Sequence, residues 1–418
     1  MSLLKKNIVS LFILQGANYL LPLVTVPYLV RVLGPEHFGR IAFAQAFVQY
    51  FMVLTDYGFN LSATRSVALV RDNPTKLSNL FSAVMIVKTM LMALGFGLML
   101  LIVWIFPGFS KDWTLYVLVY LKILGSVLFP IWLFQGLEQM RHITMLTILA
   151  STIIVVSVFT LVHQQSDYHT AAALNSSGMV IAGLFSLAVI PRLIKVRLNW
   201  PGLAQLRQVV SDGWHVFLST AAISLYTSSN VFFLGLLTNP TAVGYFAASE
   251  KLIKAVQGFI SPVSQAVYPH VATLSATSHD AALAFIGKLL RLQGAATFAL
   301  SLLLFFFASP VVYLLLGIQF QDSVCLIEWM AALPFVVGLS NVFGIQTMLN
   351  FDMKQNFSRI LITCSLINIA LIIPLAYWMG AQGAAISVLL TEIIVTGFMA
   401  FALAQNGLLI PITIRRLA

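Results

Sequence analysis

Twelve long apolar segments follow one another along the chain, joined by links too short to hold a domain of their own. They run roughly over 8–32, 38–64, 77–106, 113–137, 143–163, 170–190, 213–237, 241–269, 282–308, 323–350, 357–379 and 381–406. Each has the roughly 20 residues a helix needs to cross the hydrocarbon core of a bilayer. Inside lipid a spanning segment must satisfy its own backbone polar groups, which a continuous helix does. The pattern predicts an all-α integral membrane protein of twelve transmembrane helices. Of the 418 residues, 60% are hydrophobic and 9% charged, where soluble domains carry about a quarter charged. A soluble enzyme and a nucleic-acid binder are thereby excluded. The stretch 309–317 reads as a short interfacial helix separate from the ninth span.

The net charge of +10 would suggest nucleic acid in a soluble chain. Here it orients the helices, because cytoplasmic links are enriched in Lys and Arg. With the N-terminus inside, cytoplasmic links and helix ends carry Lys5, Lys6, Arg65, Arg71, Lys76, Arg141, Arg192, Lys195, Arg197, Arg207, Lys288, Arg291, Lys354, Arg359, Arg415 and Arg416. That is sixteen, against Arg31, Arg40 and Lys111 on the opposite side. Both termini are predicted to be cytoplasmic. No small-residue cleavage site follows residues 1–6, so the first helix is expected to stay in the protein. The basic link 192–207 leaves six spans on each side, an N-terminal lobe over 1–197 and a C-terminal lobe over 198–418. An even number per half makes any repeat parallel, a 6+6 pseudo-repeat. Gly39-Arg40-Ile41-Ala42 matches Gly244-Tyr245-Phe246-Ala247, and Met140-Arg141 matches Met353-Lys354, at equivalent positions of the two halves.

The functional candidates are the few charges within or beside the spans. A charge in mid-membrane costs at least about 2.5–3.5 kcal/mol on insertion scales, so it faces a partner, water or substrate. Lys88 falls in the third span, Lys122 in the fourth, and Lys251 and Lys254 in the eighth. A water-filled cavity lined this way would hold an anion, and arginine adds a fork suited to phosphate oxygens. Glu250 and Lys254 stand four apart, so simple pairing on one helix turn competes with that role. Arg31 and Arg40 bracket the first outer turn and read either as cavity cations or as anchors reaching the headgroups. The acidic candidates are Asp56, Glu250, Glu328 and Glu392. A carboxylate in apolar surroundings has its charged form disfavoured and can become a proton or sodium site. Glu392, set in Leu389-Leu390-Thr391-Glu392-Ile393-Ile394, leads that group; a salt bridge to a lysine is the competing reading.

Pro22 and Pro27 in the first span, Pro130 in the fourth and Pro262 in the eighth mark bends, since each removes a hydrogen bond one turn back. They serve either as gates or for plain packing. Gly95-Phe96-Gly97 and Gly380-Ala381-Gln382-Gly383 are expected to permit close helix approach. Cys325 and Cys364 lack any metal-ligand spacing and read as inert thiols. No nucleotide loop, HExxH or GxSxG pattern occurs, and His163, His169 and His215 read as structural. Neither cofactor nor metal is expected.

Specific strings then narrow the family. The run from Asn18 to Gly39 (NYLLPLVTVPYLVRVLGPEHFG) resembles the first-helix signature of O-antigen flippases of the Wzx type. Asp56-Tyr-Gly-Phe-Asn-Leu-Ser-Ala-Thr-Arg65 and Pro130-Ile-Trp-Leu-Phe-Gln-Gly-Leu-Glu-Gln-Met140 resemble it too. In the second half Asp212-Gly-Trp-His-Val-Phe and Ala221-Ala-Ile-Ser-Leu-Tyr fit the same family. The resemblance implies the multidrug/oligosaccharidyl-lipid/polysaccharide exporter superfamily, with a MATE-like fold of two six-helix lobes around a central cavity. It implies an oligosaccharide repeat unit on undecaprenyl diphosphate as substrate. That substrate would move from the cytoplasmic to the periplasmic leaflet of the bacterial inner membrane by alternating access, coupled to an ion gradient or the potential. It also implies an O-antigen polymerase and a chain-length regulator as partners, besides membrane lipids. Arg31, Asp56 and Arg65 carry over because they stand inside matched strings.

Two other functions compete. A cation-coupled small-molecule or multidrug exporter of the same fold would favour an acidic or aromatic cavity, against which the lysines within the spans speak. A membrane polymerase or glycosyltransferase would need a sizeable extramembrane loop, and the outer links are short.

Overall fold

The computed structural model describes residues 3–408 apart from 195, 197 and 259. Within helices, only the backbone is described for 3–23, 193, 219, 222–223 and 225–227. Lys195, Arg197, Arg415 and Arg416 therefore lie outside the described residues, as do the side chains of Lys5, Lys6 and Pro22.

Every regular element among the described residues is helical. In chain order these are α1 (Leu3–Asp56), α2 (Phe59–Val70), α3 (Pro74–Ile105), α4 (Pro107–Ser110), α5 (Trp113–Leu128), α6 (Ile131–Gly136), α7 (Met140–Leu161) and α8 (Tyr168–Leu193). They continue as α9 (Leu203–Leu237), α10 (Pro240–Gln257), α11 (Ile260–Thr277), α12 (His279–Phe306), α13 (Ala308–Val311), α14 (Ser323–Met330), α15 (Leu333–Asn341) and α16 (Lys354–Gln405). Seven stretches among the described residues are long and apolar enough to cross a membrane by length and composition.

Two of the longest helices are kinked pairs. Helix α1 leaves helical geometry at Gly34 (φ 72°, ψ 172°), a conformation that side-chain-bearing residues rarely adopt. Pro35 follows at the start of the next arm, where its missing N–H costs nothing. Helix α16 breaks in the same manner at Gly380 (φ 58°). Just beyond, a Cβ on Gly383 would collide with the Leu375 carbonyl, so the two arms cross closely there. Gly95 packs against the Tyr120 hydroxyl, whereas Gly97 faces open space. The close approach expected of that patch rests on Gly95.

Several apolar segments are not single helices. The segment 38–64 stops at Asp56, where Tyr57 (φ 43°) and Gly58 (φ 73°) are left-handed, and α2 begins afresh. The segment 113–137 breaks at Phe129–Pro130, because proline has no N–H and clashes one turn back. The eighth segment divides into α10 and α11 one turn before Pro262. The tenth runs through α14 and α15 into a π-helical turn, Val342–Met348. The stretch 309–317 forms α13 and a π-helical turn, Val312–Leu316, closed by Gly317.

Contacts divide the chain into two compact units, Met1–Ser228 and Ser229–Ala418. The division falls inside α9, farther along than the basic link. In the first unit α5 packs on α8, α7 on α8 and α1 on α7. Its core holds Phe59, Trp132 and Phe134, all fully buried. In the second unit one cluster surrounds Ile286 and Val342, and another surrounds Met348, Cys364 and Met399. Both cysteines are free; Cys364 is buried and Cys325 half-buried.

Candidate functional site

Asp56 ends the helical run of α1, and the chain leaves it through the left-handed pair Tyr57–Gly58. That turn is clamped by the first half of α9. A Cβ on Gly58 would stand 2.6 Å from Val216 Cγ1, and the Tyr57 ring stacks on Phe217 with centroids 4.8 Å apart. The Asp56 carboxylate is thus held in place, and it accepts a hydrogen bond from Lys88 Nζ on α3 at 2.8 Å. The Lys88 side chain is 3% exposed and that of Asp56 25%.

The second bond of Lys88 goes to the main-chain carbonyl of Ser126 at 3.1 Å. In an unbroken helix that carbonyl would accept from the residue four positions on, which is Pro130 and has no N–H. The proline that ends α5 therefore frees an acceptor within the span, and the lysine ammonium satisfies it. An orphaned carbonyl in hydrocarbon costs several kcal/mol, so the arrangement serves both groups. Lys88 and Pro130, read from sequence as a cavity cation and a gating bend, belong to one closed site. The Lys88 side chain itself is closed off, and among the described residues its ammonium meets Asp56 and the Ser126 carbonyl.

Lys122 lies on α5 one turn before Ser126 and is exposed. It has no hydrogen-bond or ion-pair partner among the described residues. Asp56 acts on its charge through space. One carboxylate thus serves two lysines, bonded to the enclosed one and biasing the open one.

A second charged cluster joins three connections of the first unit. Arg40 Nη2 donates to Glu36 at 2.7 Å, and its Nη1 stands 4.0 Å from Asp112. Asp112 also meets His169 at 2.8 Å and accepts from the Tyr168 hydroxyl at 3.1 Å. The His37 and Tyr168 rings lie 4.8 Å apart. These groups stand at the ends of α3–α5 and α8 and beside the Gly34 break, all ends that the charge count assigns to the outer side. Arg40 is engaged by two carboxylates there.

The remaining candidates are scattered. Lys254 pairs with Glu250 at 2.8 Å within one turn of α10, as their spacing allowed. Lys251 is half-buried on the same helix, and Arg31 on α1 and Arg65 on α2 are exposed. Glu328 is exposed on α14, at the wall of a groove of about 540 Å³ with Phe298, Trp329 and Phe335. Glu392 is half-buried in α16 and lies within electrostatic reach of the Cys364 thiol. Helix α1 passes Pro27 without a break, and its non-helical residue is Gly34. Sequence reasoning missed Asp112 and the Ser126 carbonyl. A proline four residues after a serine was the signal available for the latter.

Residues 4–275 match the model of the family described as polysaccharide biosynthesis protein. A protein of Escherichia coli (strain K12) named as an O-antigen transporter is 37% identical over 412 residues, covering 97% of this chain and 98% of its own length. One from Shigella dysenteriae, named likewise, is 30% identical over 401 residues, covering 95% and 99%. Among solved structures, the lipid II flippase MurJ in its inward closed conformation superposes with a TM-score of 0.74 at 12% identity, over 95% of this chain and 87% of that one. An inward-facing MATE family multidrug resistance transporter of the MOP superfamily gives 0.66 at 16% identity, over 96% and 98%. At such identities these likenesses speak for the fold alone. The chain belongs to the polysaccharide biosynthesis protein family, together with relatives named as O-antigen transporters, and has a MurJ- and MATE-like fold.

Proposed function

We propose that the chain flips an undecaprenyl-diphosphate-linked oligosaccharide repeat unit from the cytoplasmic to the periplasmic leaflet of the bacterial inner membrane. The substrate class follows the name of its relatives, O-antigen transporter. The observation that carries the reading is Lys122: an open cation inside a span, unbonded among the described residues and set beside the fixed Lys88–Asp56 pair. A diphosphate supplies the counter-charge that such a lysine lacks, while the polyprenyl tail can stay in the bilayer. Lys251, Arg31 and Arg65 are the further candidates for anion contact. Glu392 is the candidate for coupling to a proton or sodium gradient.

Twelve spans with both termini cytoplasmic, arranged as two lobes that alternate access, complete this reading. The breaks at Gly34 and Gly380 support it, because each falls between two apolar segments. So do the exposed aromatics Trp104, Phe106, Trp113, Tyr377 and Trp378 beside links assigned to the outer side, where aromatic residues collect at membrane interfaces. An O-antigen polymerase and a chain-length regulator would act on the product.

The test is complementation of a flippase-null strain, read as surface polysaccharide and accumulated lipid-linked precursor. The wild-type chain restores polysaccharide. K122A inserts normally yet lowers export at least tenfold and raises precursor. Undiminished polysaccharide in K122A overturns the role of the lysine, and failure of the wild type to act on any lipid-linked precursor overturns the function.

A further inference from the structure

The second unit contains a cavity of about 590 Å³ between the α10–α11 segment and α15 with its π-helical extension. Pockets for small ligands span about 300–1,000 Å³. One wall is a polar stripe: Gln257 at the end of α10, then Ser261, Gln265 and Tyr268 on α11, the last three at spacings of four and three, which place them on one helix face. The opposite wall presents Val337, Ile345 and Leu349 with Asn341 among them. Gln265 Nε2 donates to Ser261 Oγ at 3.0 Å, which orients both side chains. Asn341 Oδ1 is met by Gln293 Nε2 at 3.5 Å. Among the described residues its own amide N–H groups have no acceptor, and no charged side chain lines the cavity.

This chemistry differs from that of the Lys122 site. Amides, a hydroxyl and a phenol both donate and accept, as sugar hydroxyls do. Facing them is an apolar wall suited to the C–H face of a pyranose, with a tyrosine ring at one end. A diphosphate would find no cation here, and a hydrocarbon tail would leave the polar stripe without partners, at a cost of roughly 1–3 kcal/mol for each group left unpaired. We infer that this cavity is a subsite for an uncharged sugar residue of the transported molecule, with Gln257, Gln265 and Asn341 as its specificity-determining side chains. The inference rests on the proposed function for the attachment of that sugar to a lipid carrier. The charge-based orientation puts this part of the eighth and tenth spans in the cytoplasmic half, where a substrate would load.

Binding to the purified full-length chain tests it, with two kinds of probe. One is bare undecaprenyl diphosphate; the other is the same carrier bearing either a single neutral hexose or a single N-acetylhexosamine. Wild type binds at least one sugar-bearing carrier about tenfold more tightly than the bare one, the equivalent of one to two good hydrogen bonds. Q257L/Q265L loses that gain while binding the bare carrier as wild type does. N341L, on the opposite wall, is read the same way, so loss of fold in one variant leaves the other decisive. A wild type with no sugar gain, or a gain that survives in a folded variant, overturns the subsite. A wild type that binds no carrier at all overturns the proposed function and the subsite with it.

Discussion

The two units answer the same problem, polar groups inside lipid, with different chemistry. In the first unit the enclosed polar contact is an ion pair, Lys88 with Asp56, closed by a main-chain carbonyl. In the second the enclosed contacts are neutral. Gln293 donates to the Gly338 carbonyl at 2.9 Å, Gln346 to Ser264 Oγ at 2.9 Å, and Asn368 to Thr391 Oγ1 at 3.0 Å. The contrast recurs at matched positions. Arg40 stands 4.0 Å from Asp112 in the first unit, and at the matched position of the second the neutral Tyr245 lies within electrostatic reach of Asp322. The backbone is alike where the side chains differ: Glu138 and Asp352 share a φ of 57° just before α7 and α16. An amide network locks helices without the desolvation cost of ions, whereas a buried pair costs more but leaves a field that reaches a neighbour such as Lys122. Among these contacts the first unit encloses an ion pair, and the second encloses neutral amides and hydroxyls.

Substitutions can break that contrast, and the largest effect belongs to the ion pair. K88A or D56N alone leaves an uncompensated partner in a closed site and is expected to cost about 3–5 kcal/mol, seen as a lowered unfolding temperature in detergent. The double variant K88M/D56L is expected to regain most of that loss, because no orphaned charge remains. If the double variant is no better than the singles, the pair holds the fold through geometry rather than charge. Next is the amide network: Q346L removes the donor to Ser264 and is expected to cost about 2 kcal/mol, independent of ionic strength. The smallest effects are at the outer ends. R40M and Y245F should each cost about 1 kcal/mol or less, with only the Arg40 contribution declining as salt is raised. Equal salt dependence in both variants would erase the proposed difference between the units.

Much of the helical plan is legible in hydropathy, because a span must be both long and apolar. The breaks within segments are less so. Asp56 and Gly58 mark the break at Tyr57–Gly58, but what holds it, close approach to Val216, lies on a helix far along the chain. Among the candidate residues, the Glu250–Lys254 pair follows from local spacing alone. The Lys88–Asp56 pair spans 32 positions, and its third member is a carbonyl left without its helical donor because Pro130 lacks an N–H. The stripe 257, 261, 265, 268 was present in the sequence at helical spacing. Nothing in it tells a cavity wall from a packed interface.

By itself, then, the sequence determined a chain of apolar helices, an uneven spread of charge over its links and a family, since hydropathy, link charge and matched strings are local properties. Tertiary structure decided which charges are enclosed and which are open. In a membrane the interior and the lipid-facing surface are equally apolar, so no periodicity distinguishes Lys88, closed in by Asp56 and Ser126, from Lys122, one turn from that carbonyl and exposed.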